Sequence, residues 1–190
     1  MPNLCNYQMK VVGKKENVEE FIKIMQANYD YRAMEFSHDK HMGGRVFEAY
    51  VDEFKEVDNN KFAAIICGDC AWSVSSCMFG GEWSYYNGFK NDYQDKCRST
   101  TVPIESKELD LNIEIFSEES GCCFMEHYLV RKGDVEIEDC VDWEEYFIDE
   151  YETKEEAEEE LGVEFTDEEW ENAEDGCVIN RGGIEWDYEI

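Results

Sequence analysis

The acidic residues of this chain are concentrated in its last third, and any fold must hold those charges at the surface. Residues 134–190 contain 25 Asp and Glu but only two basic residues, Lys154 and Arg181, for a net charge of −23. Residues 1–133 contain 22 acidic and 15 basic residues, for a net charge of −7. Neighbouring like charges repel in helices and sheets. The sequence therefore predicts an ordinary domain over residues 1–133 and a distinct acidic extension over residues 134–190.

The acidic extension is also rich in large apolar residues, which a disordered acidic tail lacks. They are Trp143, Tyr146, Phe147, Ile148, Tyr151, Leu161, Phe165, Trp170 and Trp186. Capping patterns that begin at Thr153 and Thr166 predict two short helices among them, and Gly162 is expected to end the first. We therefore expect the extension to fold, to pack on the domain and to hold its carboxylates on a fixed surface.

The charge of the whole chain limits the classes of partner. There are 47 acidic and 17 basic residues, for a net charge of −30, whereas nucleic-acid phosphates and anionic membranes attract clusters of Lys and Arg. No stretch approaches the roughly 18 apolar residues of a membrane helix. We therefore expect a basic protein surface as the partner, with no direct nucleic acid and no membrane. No signal-peptide pattern is present, so we expect a cytoplasmic location with reduced cysteines.

Residue patterns in the first two thirds of the chain predict an α+β domain. Residues 7–11 alternate as in a half-buried strand, and a helix with an amphipathic face follows, with Asn17 as its expected cap. Residues 71–74 are consistent with either a short helix or a strand, and residues 80–98 with a long loop. Further strands are predicted at residues 45–51, 62–67, 111–116, 124–130 and 135–138, the last three as an antiparallel meander.

Three stretches within residues 1–135 match the pattern of one protein family. They are the opening Met1-Pro2-Asn3-Leu4-Cys5-Asn6 with the strand and helix after it, Cys70-Ala71-Trp72-Ser73, and the strand at residues 109–116 with the turn Glu118-Glu119-Ser120-Gly121. Together they resemble the YubB-type ferredoxin-like family, whose members are carried on phages, plasmids and other mobile elements. The resemblance implies a ferredoxin-like antiparallel sheet with helices on one face and a bacterial or phage source. It implies no catalytic activity.

The cysteines and histidines are the other candidates for chemistry. Cys67 and Cys70 have the C-x-x-C spacing of zinc knuckles and of redox motifs that precede a helix. The only other close pair, residues 122–123, has poor ligand spacing, although His38 and His41 could complete a Cys2His2 site across the fold. We interpret the cysteines as core residues and the histidines as part of a polar loop. The sequence therefore predicts neither a metal nor a cofactor.

Carboxylates in the acidic extension follow helix and strand spacings that place several of them on one surface. Apolar and acidic residues alternate at residues 135–138, which predicts Glu136 and Glu138 on one strand face, about 6.6–6.8 Å apart. DNA carries one charge per roughly 1.7 Å of axis, so a nucleic-acid-binding protein could bind a folded acidic segment in its place. The predicted partner-binding residues are Glu136, Glu138, Asp142, Trp143, Glu144, Glu145, Asp149, Glu150, Glu155, Glu156, Glu158, Glu159, Glu168 and Glu169.

Three functions remain open at this point. The first is a non-enzymatic anti-defence protein of the anti-CRISPR or anti-restriction type. Its DNA- or RNA-like acidic surface would inhibit a CRISPR effector nuclease or a restriction enzyme in the cytoplasm of a bacterial host. The second is an accessory domain that binds a partner unrelated to defence through the apolar surface of its sheet. The third is a metal- or thiol-dependent enzyme that uses Cys67 and Cys70.

Overall fold

A computed structural model describes residues 3–30, 35–43, 45–58, 60–80, 98–173 and 178–190 of the chain. The helices are α1 (Lys15–Met25), α2 (Val74–Met78), α3 (Val102–Glu108), α4 (Lys154–Leu161) and α5 (Asp167–Asn172). The strands are β1 (Leu4–Lys14), β2 (Tyr29–Asp30), β3 (Glu35–Phe36), β4 (Lys40–Met42), β5 (Val46–Asp58), β6 (Lys61–Ala71), β7 (Arg98–Thr100), β8 (Asn112–Glu119), β9 (Phe124–Arg131), β10 (Asp134–Phe147) and β11 (Val178–Gly182).

Seven of these strands form one antiparallel sheet, so the described residues make an α+β protein. The strand order is β11-β10-β9-β8-β1-β6-β5. The consecutive strands β8, β9 and β10 pair as the predicted meander. β1 lies between β8 and β6, and therefore joins the meander to the β5–β6 hairpin. Two small additions complete the set: a β2–β3 antiparallel pair and a β4–β7 parallel pair.

The main core lies on the side of the sheet that carries α1, α2 and α3, which we call the helix face. Strand alternation in β1 directs Cys5, Tyr7, Met9 and Val11 to this side, where all four are buried. Buried residues of the three helices pack against them. Burial of each large apolar side chain contributes about 1.5–3 kcal/mol. This core therefore holds the three helices on one face of the sheet.

The start predicted for the first helix differs from the structure, whereas the short helix allowed at residues 71–74 is present. Helix α1 begins at Lys15 rather than after Asn17, and the Asn17 side chain instead donates to the carbonyl of Leu109 at 2.6 Å. That bond ties α1 to the end of α3, which sequence spacing cannot show. Residues 71–74 contain the end of β6 and the start of α2, which is capped by the Ser73 hydroxyl. The loop predicted at residues 80–98 lies, at residues 81–97, outside the described residues.

The sheet continues across the boundary predicted at residues 133 and 134. Lys132 and Gly133 form the turn between β9 and β10, with φ of 51° and 93°. β10 then pairs with β9 from Asp134 onward. The acidic extension therefore contributes β10 and β11 to the large sheet, and adds α4 and α5 beside its far edge.

The last eight residues, 183–190, cross the side of the sheet opposite the helices, which we call the back face. Tyr188 donates its hydroxyl hydrogen to Gln8 Oε1 at 2.9 Å and meets the Phe116 ring edge-on at 5.3 Å. The backbone N–H of Glu189 donates to Glu114 Oε2 at 2.7 Å. The end of the chain therefore packs on β1 and β8, in the part of the molecule that the sequence assigns to the first domain.

Candidate protein-binding surface

Most of the acidic extension forms an ordered unit with its own small core. We define this C-terminal unit as residues 143–173 and 178–182, which include the end of β10, α4, α5 and β11. Ile148, Ala157, Phe165 and Ile179 are buried in it. Tyr146 and Trp170 pack against Phe165 at ring-centroid distances of 5.5 and 6.3 Å. These two partly buried aromatic residues therefore contribute to the packing of the unit.

The predicted capping box is complete at the start of α5 and only half formed at the start of α4. Thr166 accepts from the backbone N–H of Glu169, and the Glu169 carboxylate accepts in return from the backbone N–H of Thr166, which is a complete capping box. Thr153 caps α4, but the Glu156 carboxylate accepts from the N–H of Glu152 instead. The first box is therefore only half formed. Gly162 ends α4 with φ of 71°, as predicted.

The two basic residues of the extension are used to join its helices and strand. Lys154 of α4 lies 2.6 Å from the Asp167 carboxylate at the start of α5, which lowers the pKa of Asp167. Arg181 of β11 donates to both carboxylate oxygens of Glu169, at 2.8 and 3.0 Å. Arg181 and the bonds with Thr166 lower the pKa of Glu169 to about 2. Because both basic residues of the extension are held in internal ion pairs, the remaining carboxylates make the surface of the unit negatively charged.

Most of the predicted partner-binding residues lie at the surface. The exposed ones are Glu136, Glu138, Asp142, Glu144, Glu145, Asp149, Glu150, Glu155, Glu156, Glu159 and Glu168. Trp143, Glu158 and Glu169 are only partly exposed. The Glu158 carboxylate accepts from the backbone N–H of Phe165 at 2.7 Å, and Glu169 binds Arg181. The carboxylates of Glu158 and Glu169 therefore make structural contacts within the unit. In the sequence, nothing distinguishes these two residues from the acidic residues around them.

The regular alternation expected at residues 135–138 is interrupted by a β-bulge. The register of β10 against β9 shifts between Val135 and Ile137, so Glu136 is an extra residue with no partner of its own across the ladder. The Glu136 carboxylate also accepts from Arg131 Nη1 at 2.8 Å. Glu136 and Glu138 are therefore not separated by two regular strand steps, as the sequence predicted.

Strand β10 also exposes three apolar residues that are not among the predicted partner-binding residues. Phe147 is 60% exposed, and Val135 and Val141 are 42% and 38% exposed. In the sequence Phe147 stands beside Tyr146 and looks equally suited to the core. Strand alternation places consecutive residues on opposite sides of a sheet. This signal could have distinguished the exposed Phe147 from the partly buried Tyr146.

The C-x-x-C pair is not assembled for metal or redox chemistry. Both cysteines lie within strand β6 and not at a helix start, and residues three apart in a strand point to opposite faces. Cys67 pairs with Gln8 toward the back face, whereas Cys70 pairs with Cys5 in the core. Hydrogen bonds with Cys5 and Cys77, and burial, raise the pKa of Cys70. The described residues contain no group of three or more His, Cys, Asp or Glu that could hold a metal ion.

Neither of the predicted histidines joins these cysteines in a ligand set among the described residues. His38 contacts Glu20 through Nε2 at 3.0 Å, which ties the segment before β4 to α1. Burial lowers the pKa of His41, which lies in β4. A third histidine, His127, is buried on the back face with its Nε2 at 2.8 Å from Glu114 Oε1. These placements support structural roles for the histidines.

Comparisons with known proteins do not indicate a function for this chain. No family model, curated protein or solved structure matches this chain. Among the described residues, none of the helices has the length and apolar character needed to cross a membrane. The strongest candidate for a functional site is therefore the exposed acidic surface of β10 and the C-terminal unit.

Proposed function

We propose that this protein is a non-enzymatic binding protein whose acidic surface occupies the nucleic-acid site of a basic partner. One observation carries the proposal: an ordered unit with its own core uses Lys154 and Arg181 for internal ion pairs and leaves most of its carboxylates exposed. An ordered surface loses less conformational entropy on binding than a flexible tail does. The acidic surface is therefore suited to specific binding as well as to solubility.

The spacing of charges on α4 supports an imitation of nucleic acid. Four exposed carboxylates, at residues 155, 156, 159 and 160, lie on a helix of eight residues. Such a helix is about 12 Å long, so the mean spacing is about 3 Å per charge. The phosphates of one DNA strand are about 3.4 Å apart along the axis. A groove that binds a phosphate backbone would meet a similar linear density of charge on α4.

The proposed fold of the first domain is a ferredoxin-like unit extended by the meander. Its elements follow one another as β1, α1, β5, β6, α3 and β8, with shorter elements inserted. In the sheet these four strands lie in the order β8-β1-β6-β5, with all neighbours antiparallel. This arrangement supports the resemblance to the YubB-type family. The proposed source is therefore a phage or plasmid, and the proposed partner is a CRISPR effector nuclease or a restriction enzyme in the bacterial cytoplasm.

The proposal is tested by reversing charge on α4 without breaking the C-terminal unit. We expect a variant with Glu155→Lys, Glu159→Lys and Glu160→Lys to lose capture of nucleic-acid-binding proteins from a bacterial lysate at low salt. Glu156 and Glu158 are left intact because they accept from the backbone N–H groups of Glu152 and Phe165. A double-stranded DNA oligonucleotide should release the proteins captured by the wild type, because both ligands compete for one site.

A matched variant separates the position of the charges from their number. Glu16, Glu19 and Glu53 are exposed outside the extension, and their replacement by Lys changes the net charge equally. Capture should survive in this variant. If both variants lose capture equally, or if capture by the wild type persists at high salt and resists the oligonucleotide, the nucleic-acid-like surface is not the binding site.

A second candidate function is supported by the opposite edge of the sheet. Strand β5 exposes Phe47 by 54%, Tyr50 by 51% and Phe54 by 37%. Exposed aromatic residues are common binding anchors, so an accessory domain could bind a partner unrelated to defence at β5. In that case Phe47→Ser with Tyr50→Ser would abolish capture, and charge reversal on α4 would leave it unchanged.

A further inference from the structure

Strand β10 has one paired edge and, along most of its length, one open edge. β9 pairs with it from Asp134 to Asp142, on one side only. β11 pairs with the other side, but only from Trp143 to Phe147. After Gly182 the chain turns onto the back face, where the N–H of Ile184 donates to Met125 Sδ. Within the part of the chain that the structure describes, no strand lies against the outer edge of residues 134–141.

The backbone groups that face this open edge can be identified from the hydrogen bonds. The N–H of Trp143 donates to the carbonyl of Cys123, toward β9. In an antiparallel ladder the residues alternate between inward and outward backbone groups. Cys140 and Glu138 therefore direct their N–H and C=O outward. The position of Gly182 agrees with this alternation, because a Cβ on that residue would lie 3.0 Å from the outward carbonyl of Asp142.

The side chains along the edge indicate the chemistry of a strand that would pair there. Glu138 and Asp142 lie on the helix face, since their ladder partners are Tyr128 and Phe124, and Asp139 lies on the back face. All three carboxylates are exposed. A segment that paired with this edge would place its own side chains beside carboxylates on both faces, and opposite charges in such cross-strand pairs are stabilising.

We infer that the open edge of β10 binds a basic extended segment of the partner, which adds to the sheet as an eighth strand. The inference deepens the proposed function and rests on it, because it states how part of the basic partner is held. Backbone hydrogen bonds supply affinity in this binding mode, and side chains supply specificity. A second copy of this chain is excluded as the occupant of the same edge. Pairing of two β10 strands would bring carboxylates against carboxylates, which is destabilising.

The test uses two synthetic peptides of equal charge. The first contains nine residues that alternate Lys and Thr, and the second is the same peptide with N-methyl groups on its five central residues. The methyl groups remove backbone donors from both edges and leave the charge unchanged. We expect the first peptide to bind the full-length protein at least about tenfold more tightly at low salt, because several hydrogen bonds are lost in the second. It should also slow amide hydrogen exchange at Glu138 and Cys140.

A variant of the protein tests the same edge by removing one of the backbone donors of β10. Cys140→Pro removes an outward N–H, which an edge strand tolerates, and should weaken binding of the first peptide by about tenfold. Cys140→Ala is the matched control and should bind within about twofold of the wild type. Thermal unfolding of each variant reports whether the fold is kept. If Cys140→Pro unfolds, the comparison of the two peptides on the wild type still decides the question.

The possible failures are distinguishable. Equal affinity for the two peptides, with no slowing of exchange at Glu138 and Cys140, would overturn strand addition, since charge alone would then explain binding. The proposed function would survive that result if charge reversal on α4 still abolished capture. If exchange slows at β10 but charge reversal on α4 has no effect on capture, strand addition is supported and the nucleic-acid-like surface fails.

Discussion

Several glutamates in this acidic chain are buried and serve the fold. Glu105 is fully buried and accepts from Lys40 Nζ at 2.9 Å. Glu114 is equally buried, and its two oxygens contact His127 and the backbone N–H of Glu189. A buried carboxylate is tolerated only when it is paired and hydrogen-bonded. Part of the negative charge is therefore structural, and net charge alone overstates what is available to a partner.

Glu126 provides the sharpest test of such a structural role. Its carboxylate accepts from the backbone N–H groups of Val74 and Ser75, at 2.7 and 3.1 Å, and from the Ser117 hydroxyl at 2.8 Å. Glu126→Gln replaces one acceptor oxygen by a donor, so at least one buried donor loses its partner. We expect the free energy of unfolding in urea to fall by about 2 kcal/mol. The exposed Glu138→Gln should change it by less than about 0.5 kcal/mol, and an equal effect of the two would contradict the assignment.

At the scale of the element, the C-terminal unit is stable through packing more than through helix propensity. α4 and α5 have eight and six residues, and isolated helices of that length are marginal in water. Acidic residues in their first turns favour the helices through the macrodipole, but Glu159 and Glu160 in the last turn of α4 oppose it. Burial of Ala157 and Phe165, together with the ion pairs of Lys154 and Arg181, therefore stabilises both helices.

The Glu169–Arg181 pair predicts a specific pH dependence of the unit. The pKa of Glu169 is lowered from 4.5 to about 2 in the folded state. Its stabilising contribution is therefore complete above pH 4.5 and is lost as the pH falls toward 2. Glu169→Gln keeps a side chain that can accept in the capping box but removes the charge. The difference in melting temperature between the wild type and this variant should shrink as the pH falls through that window.

Comparison within each pH removes the effect of the many other carboxylates, whose protonation is common to both proteins. Glu168→Gln is the matched control, since Glu168 is exposed and precedes Glu169 in α5. The difference in melting temperature between Glu168→Gln and the wild type should not shrink between pH 4.5 and 2. A constant difference for Glu169→Gln across the window would show that the ion pair does not stabilise the unit.

At the scale of the whole molecule, residues 183–190 connect the acidic extension to β1 and β8 by packing on the back face of the sheet. Phe116 on the back face stacks on His127 at 4.2 Å, and Trp186 lies 6.0 Å from the same ring. Tyr188 packs beside Phe116 and hydrogen-bonds Gln8 of β1. Burial raises the pKa of the Tyr188 hydroxyl. The sheet therefore has helices on one side and the end of its own chain on part of the other.

Removal of the Tyr188 side chain should destabilise the whole domain and not only the chain end. We expect Tyr188→Ala to lower the free energy of unfolding by about 2 kcal/mol, since it uncovers the Phe116 ring. Tyr188→Phe should cost about 1 kcal/mol for the lost hydrogen bond to Gln8. Asp187→Ala, at an exposed neighbour, should have little effect. If Tyr188→Ala leaves unfolding unchanged, residues 183–190 do not support the sheet.

The local elements of the fold were predictable because their signals act over a few residues. Alternation identified β1, the meander pattern identified β8 and β9, and the caps at Thr166 and Gly162 identified the limits of helices. The same reasoning failed at α1, where the expected cap Asn17 binds a carbonyl 92 positions away. The interpretation of the C-x-x-C pair as core residues is confirmed for Cys70, which is buried, whereas Cys67 is partly exposed on the back face.

The sequence alone determined that the extension folds and that its charge lies outside, because clustered carboxylates cannot be buried and interspersed aromatic residues cannot all remain in water. Only the tertiary structure decided which carboxylates are available. Glu169 binds Arg181, and Glu158 accepts from a backbone N–H, whereas Glu155 and Glu159 remain exposed on the same unit. The physical reason is that ion pairs and open sheet edges depend on residues brought together from distant positions, and local spacing does not record those pairings.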